Sequence, residues 1–247
     1  MLSAEAMRLA ALEVLAPTAA RIGEVGATFP TLAGHRVYDS RPVAVSELND
    51  EDERGYTPVI SLYSSESRLE RRGAAAAAWD NDCEAALEIV AELAVVVQPD
   101  DGEDDEPFVD ALAATDGEAR LVLAALVAQI RFLLEFSEPG HIFRAVTMGV
   151  RRIEERTMAL PELGLRWHRV LMTITAAARN DDFEDTAGLP EPLKSLDAML
   201  PAGSIAKAKL AQLAASFAGQ PRTPLEIVTT SDPRGVWPSL GIDIPND

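Results

Sequence analysis

Apolar residues recur at helical spacing between Thr115 and Phe136: Leu123, Leu126, Val127, Ile130, Leu133 and Leu134 form one stripe. Thr115 and Glu118 make a T-x-x-E capping box, which satisfies free backbone N–H groups of a first helical turn. Arg120, Gln129, Arg131 and Glu135 are left for the wetter side, and Pro139-Gly140 stops the element. The pattern predicts one long helix. A stripe this wide needs a layer to lie on, because propensity alone stabilises an isolated helix only marginally. The apolar runs on either side have strand character, so a helix lying across a sheet is expected.

The other runs supply that sheet. Ser3 is placed to cap a helix running to Leu15, with Met7, Ala11, Val14 and Leu15 on one face and Pro17 limiting it. Arg36 to Leu48 reads as extended, with Pro42 marking an edge or a bulge. Pro58 to Tyr63 is a short β-rich run. Ser64 to Asp82 has turn formers, charges and a five-alanine tract, and reads as a loop or short helix. Over Glu84–Gln98, Leu87, Ile89, Ala91, Leu93, Val95 and Val97 alternate with Glu88, Glu92 and others, and Pro99 follows, which favours a long strand over a helix. His141 to Met158 reads as a strand ending in the charged run Arg151–Arg156. Leu165 to Ala178 is a second, with Val170, Met172, Ile174 and Ala176 on one face. The Pro/Gly link between them predicts a hairpin, closed by Asn180–Asp185. From Thr186 the composition shifts. Leu189–Pro201 is proline-rich with a short apolar segment. Ser204–Phe217 reads as a helix with Ile205, Leu210, Leu213, Ala214 and Phe217 on its apolar side, and Pro224–Thr230 as a late strand. The tail around Trp237 and Ile244 has the makings of a docking segment.

The expected fold class is therefore α+β: a mainly antiparallel sheet packed by a long central helix and an N-terminal helix, with a C-terminal helical and extended extension. The expected division is an α/β domain over 1–185 and an extension over 186–247 with one helix and a docking tail.

Composition narrows the chemistry. The 247 residues are 47% hydrophobic and 25% charged, with a formal net charge of −18 from 40 acidic and 22 basic residues. That balance disfavours wrapping nucleic acid, which needs a basic face. Solubility alone accounts for such a charge; the sharper reading is a surface meant to be near DNA without holding it. The chain shows no 18-residue uncharged apolar run and no basic n-region at its start, so neither a membrane span nor a signal peptide is expected, and cytoplasmic synthesis is the default. Cys83 stands alone and forms no internal disulfide. His35, His141 and His168 lie far apart without metal-ligand spacing, so no metal site is expected. No G-x-S-x-G, Walker or G-x-G-x-x-G motif occurs, and no catalytic or cofactor-binding residue is assigned. The carboxylate clusters at 49–53, 100–106 and 181–185 lack the spacing of an EF-hand and read as solvated loops.

The element order is helix, strand, strand, long strand, helix, strand, strand. With it go "AGHRVYDSR" before the first strand, "TPVISLY" ahead of a polar loop, and a last strand opened by "ELGLRW" and closed by "DD". In these pieces residues 1–185 resemble the tail terminator (tail completion) family of long-tailed bacteriophages; members are usually shorter, so 186–247 is extra. The resemblance implies a non-enzymatic virion protein of the tail neck, assembled in the host cytoplasm. Its copies would form a hexameric ring that caps the tail tube, ends tube polymerisation and meets the head-tail connector protein. Its partners would be the tail tube protein, that connector and, if the tail is contractile, the sheath. DNA would pass through without specific binding, and no membrane or cofactor is involved. The runs Arg151–Arg156 and Arg68–Arg72 are candidates for polar contacts that set the register between copies. Two alternatives remain: a non-enzymatic intracellular α/β interaction or regulatory protein forming small oligomers, and an enzyme with a spatially assembled acidic site.

Overall fold

Alternation along residues 81–97 builds the axis of the sheet. In a computed structural model, which describes residues 2–42, 57–73, 81–97, 108–110, 116–160, 165–183 and 188–218, this stretch is one strand. The elements in chain order are α1 (Leu2–Leu15), α2 (Thr18–Arg21), β1 (Val37–Asp39), β2 (Thr57–Arg71), β3 (Asn81–Val97), β4 (Phe108–Asp110), α3 (Asp116–Glu135), α4 (His141–Val146), β5 (Thr147–Leu160), β6 (Leu165–Ala178), α5 (Leu193–Met199) and α6 (Ile205–Ala218). The sheet runs β1-β2-β3-β6-β5, and β4 pairs with the end of β3. Among the described strands only β1 pairs in parallel, so the fold is α+β with a mainly antiparallel sheet.

Register puts the apolar positions of three strands on one face. Leu62 opposes Ile89 and Ile60 opposes Ala91, while Ile89 opposes Met172 and Leu87 opposes Ile174. All are buried, under α1 and α3. The predicted α3 stripe of Leu123, Leu126, Val127, Ile130, Leu133 and Leu134 is buried throughout. At its C-terminus the helix is closed by its neighbour: Arg144 donates from Nη1 to Leu134 O at 3.2 Å and from Nη2 to Ser137 O at 2.8 Å, and Ser137 Oγ donates to Leu133 O at 2.6 Å. Gly140 is required there, because a Cβ would lie 2.2 Å from Leu133 O.

α1 has apolar burial all round instead of the one face expected. Ala4, Ala6, Met7, Leu9, Ala10, Ala11, Leu12, Val14 and Leu15 are all buried. The helix lies between the sheet and α3, α4, α5 and α6, and a helix enclosed on every side needs apolar residues on every side. Leu193, Leu196, Leu200, Ala206 and Leu210 join the same core, so residues 188–218 complete the enclosure of α1. Ser3 is inside the helix rather than its cap. Its Oγ donates to Arg179 O at 2.7 Å, and Asp181 takes the capping role by accepting from Leu2 N at 2.9 Å.

Three further expectations are corrected. Ser64–Asp82 is neither loop nor helix where it is described: β2 continues to Arg71 and pairs back to Asn81. Residues 65–71 are exposed, so nothing in their letters alternates; backbone pairing with β3 holds them extended. His141–Val146 is a short helix and the strand starts only at Thr147. Ile142, Phe143 and Val146 point into the core at helical spacing while Arg144 closes α3, a geometry that a strand does not allow. In α6, Ile205 is exposed while Ala206 and Leu210 are buried, because Ser204 is held inward by Glu13. β4 was not foreseen. Thr115 of the capping box, residues 43–48, the acidic runs 49–53 and 100–106, the five-alanine tract and Pro224–Thr230 lie outside the described residues.

Candidate interaction surfaces

Among the described residues the side chains with reactive potential do not converge. His35 is exposed and meets Phe29 edge-on at 6.2 Å, and His141 is exposed with Nδ1 3.1 Å from Glu138 O. His168 lies in β6, with its side chain outside the described set. Cys83 is buried; burial, then the charges of Asp181 and Asp82, push its thiol pKa up, which is opposite to what a nucleophile needs. Among the described residues no group of three His, Cys, Asp or Glu side chains is placed to hold a metal. No described helix is long and apolar enough to cross a membrane.

What the fold does build is charged and apolar surface. The face of the sheet away from α1 and α3 carries Glu84, Glu88 and Glu92 on β3, Arg169, Thr173 and Thr175 on β6, and Arg152, Glu154 and Arg156 on β5. Two of its ion pairs are close: Arg169 Nε donates to buried Glu92 at 2.6 Å, and Arg152 donates to Glu154 at 2.6 Å. The two runs singled out for polar contacts come together at Glu84, which opposes Arg68 across β2–β3 and pairs with Arg151 of β5. Arg68–Arg72 is thus the end of a strand and its turn, not a free loop. Arg72 pairs with Asp82 at 3.0 Å.

The acidic runs attach at opposite ends of the sheet. Segment 43–56 leads into Thr57 and segment 98–107 follows Val97; since Thr57 opposes Ala94, both adjoin the same end. Asp181 and Asp182 lie at the other end, by the start of α1. Most of the −18 charge belongs to stretches outside the described residues, and the described segments are close to neutral.

A second ionic cluster joins α1, β1 and α6. Arg8 pairs with Glu5 and Asp39, donates from Nε to Ser64 Oγ at 3.1 Å, and Asp39 also holds Lys209. Burial opposes ionisation of Glu5, but the Arg8 hydrogen bond and charge outweigh it and lower its pKa. Lys209 has a lowered pKa, from burial and then the charge of Arg8. The structural role is clear: the cluster pins the edge of the sheet to both terminal helices.

The outer side of α3 departs most from expectation. Where a wet face was predicted, Leu121 is 73%, Phe132 59% and Phe136 65% exposed. Ala124, Ala125 and Ala128, also exposed, lie between them. α3 is thus apolar on two sides, with Arg131–Glu135 an ion pair at 2.8 Å along the margin. The spacing from Leu121 to Ala125, Ala128, Phe132 and Phe136 was present in the letters, and only the stronger inner stripe hid it. No protein-family model and no curated protein matches the chain.

Proposed function

We propose that the protein is a structural component of a phage tail: a tail terminator whose copies close into a ring, cap the finished tube, end its polymerisation and join it to the head connector. The observation that carries this is the order of elements. A buried N-terminal helix, an edge strand, two long paired strands, a helix across the sheet and a β5–β6 hairpin follow the order on which the resemblance rests. In such a protein the chemistry is interface geometry. A closed ring needs heterologous contacts, in which one patch meets a different patch on the next copy. The apolar ridge of α3 is one exposed patch available for such a contact.

The charge distribution supports the same reading. Duplex DNA carries one negative charge per ~1.7 Å of axis. A basic lining would hold it by counterion release, whereas carboxylates repel it within a Debye length of roughly 8 Å at physiological salt. Acidic segments joined to one end of the sheet would add their fields in every copy of a ring. Electron microscopy of the purified protein, alone and with tail tubes, tests the proposal. Six-membered rings with a predominantly negative bore, seated on tube ends, are expected, together with no retention of duplex DNA even at low salt. Tight, salt-sensitive DNA binding, or a bore lined with Lys and Arg, would overturn it in favour of the regulatory alternative.

A further inference from the structure

Among the described strands β5 is an end of the sheet, and no described backbone hydrogen bond reaches its outer edge from another segment. The strand is 14 residues long. Such an edge offers a row of N–H and C=O groups to any extended partner, and natural sheets guard it with bulges and charges. β5 has both: Arg151 is bulged between Val150 and Arg152, and Arg151, Arg152, Glu155 and Arg156 are exposed. Charges of one sign would keep out a second copy of the same strand. These reverse sign about a point. The run reads Arg151-Arg152-Ile153-Glu154-Glu155, with cations and anions placed symmetrically about Ile153.

Antiparallel self-pairing with Ile153 opposite itself sets Arg152 against Glu154 of the second copy, and Glu154 against its Arg152. Both residues lie on the face away from α1 and α3, where they oppose Thr175 and Thr173 of β6, so the four charges share one face of the joined sheet. Within one chain Arg152 already donates to Glu154 at 2.6 Å. That pair is kept: each Glu154 comes to lie between two Arg152 side chains, one from its own strand and one from the other. The bulge gives Glu155 of the second copy Arg151 as a neighbour, beside Val150. Registers centred on Arg152 or on Glu154 set that charge against its own copy, which destabilises a strand pair. The pattern therefore favours one partner, one direction and one register.

We propose that two copies join edge to edge through antiparallel β5 strands with Ile153 on the twofold axis. Backbone hydrogen bonds supply the association, and the charges set its register. The inference goes beyond the proposed function and does not rest on it. A ring whose copies all face one way has no twofold axis between neighbours, so the strand pair joins copies that are not neighbours in one ring.

The test uses the full-length chain with Ile153→Cys, oxidised in solution. Opposed residues of an antiparallel pair have Cα atoms about 4.5–5.5 Å apart, within disulfide reach. A disulfide-linked dimer is expected, and the parent, whose Cys83 is buried, should give none. Thr157→Cys should not link to itself, because the register holds its two copies roughly 25 Å apart along the strands. Adding Arg152→Glu to Ile153→Cys should lower the linked fraction roughly fivefold or more, and adding Glu154→Arg as well should restore it, since opposite charges again face each other. Ile153 packs partly against the core, so a mixture of chains carrying Arg152→Cys and chains carrying Glu154→Cys repeats the test at polar positions, where mixed disulfides should form. The inference is overturned if both the Ile153→Cys chain and the mixture stay unlinked, if Thr157→Cys links to itself as readily, or if the charge swap brings no recovery. The two proposals fail separately. Linked dimers without rings uphold the strand pair and sink the ring; six-membered rings without the link sink the strand pair and leave the ring.

Discussion

Glu13 is a carboxylate held inside the core by three donors, and replacing it should be among the most damaging single changes available. Its oxygens accept from Thr18 N at 2.8 Å, Thr18 Oγ1 at 2.8 Å and Ser204 Oγ at 2.7 Å. The last bond joins residues 191 positions apart and fixes the start of α6 on α1. Hydrogen bonds to a charged acceptor contribute about 1.5–3 kcal/mol each, and a buried donor left without a partner costs ~1–3 kcal/mol. Glu13→Ala strands the backbone N–H and both hydroxyls. Allowing for relaxation and water entry, a loss of ~3–5 kcal/mol is expected. For a domain of this size each kcal/mol lowers Tm by roughly 2–4 °C, so the melting point should fall by roughly 6–20 °C. Glu13→Gln keeps the shape and one strong acceptor, and should cost ~1–2 kcal/mol; Ser204→Ala removes one donor and should cost about as much. Urea unfolding of the two singles and the double gives a coupling energy, which should be favourable by ~1 kcal/mol. If Glu13→Ala melts within a degree or two of the parent, the carboxylate is not the tie between the terminal helices and the packing of 188–218 on α1 needs another cause.

Other changes have signs fixed by the same packing. Gly140→Ala puts a methyl group into the carbonyls of Leu133 and Leu134, so it should destabilise by ~2 kcal/mol or more, whereas Gly117→Ala meets nothing within 4 Å and should stabilise by ~0.5–1 kcal/mol; thermal melts compare them directly. Ile130→Asp places an unpaired charge where the side chain is fully buried and should yield insoluble protein; a soluble variant with parental Tm would mean the inner face of α3 is misassigned. Because the folded-state pKa of Glu5 lies below its ordinary 4.5, its contribution to stability is present above that value and is lost as pH falls through the lowered one. Urea midpoints followed down through this window should drop less steeply in Arg8→Met, where the cause of the shift is gone.

The elements legible in the sequence are those buried on one side. β3 and β6 alternate because one face is in the core, and α3 is periodic for the same reason. The distal half of β2 is exposed on both faces, so its letters carry no period, and only its pairing with β3 shows what it is. The letters of α4 read as strand because six residues are too few for a helical period to declare itself ahead of the strand that follows. Ser3 was a sound cap by local rules, but the tertiary partner Asp181, far along the chain, took the role. The Glu13–Ser204 bond joins two residues that no local pattern associates. The charged runs were legible as charge; their meeting at Glu84 depends on strand register, which pairs Arg68 with Glu84 and brings β5 alongside. The outer ridge of α3 was legible in principle, since Leu121, Phe132 and Phe136 obey the same spacing rule as the inner stripe. A helix that shows one convincing face invites the assumption that the other is wet.

Two kinds of contact are available for assembly, and salt separates them. Copies that each carry −18 repel one another, and added salt screens that repulsion. Docking on Leu121, Phe132 and Phe136 is apolar and has no opposing electrostatic attraction to lose. If the ridge drives association, raising NaCl from roughly 50 mM to 500 mM, over which the Debye length shrinks from about 14 Å to ~4 Å, should strengthen it. If ion pairs drive it, through the Arg151–Arg156 run or Arg68 and Arg72, the same change should weaken it, because exposed pairs lose their attraction to screening. Those arginines already have partners within their own chain, Arg151 on Glu84 and Arg72 on Asp82, so meeting a second copy would exchange one pair for another with little net gain. Among the described residues the ridge has no such internal competitor. Association measured by sedimentation across that salt range should therefore tighten, and Phe132→Asp should remove the salt-strengthened component while leaving the fold intact. Association that weakens with salt and survives Phe132→Asp would assign the interface to the charged end of the sheet and leave the apolar ridge without a part in assembly.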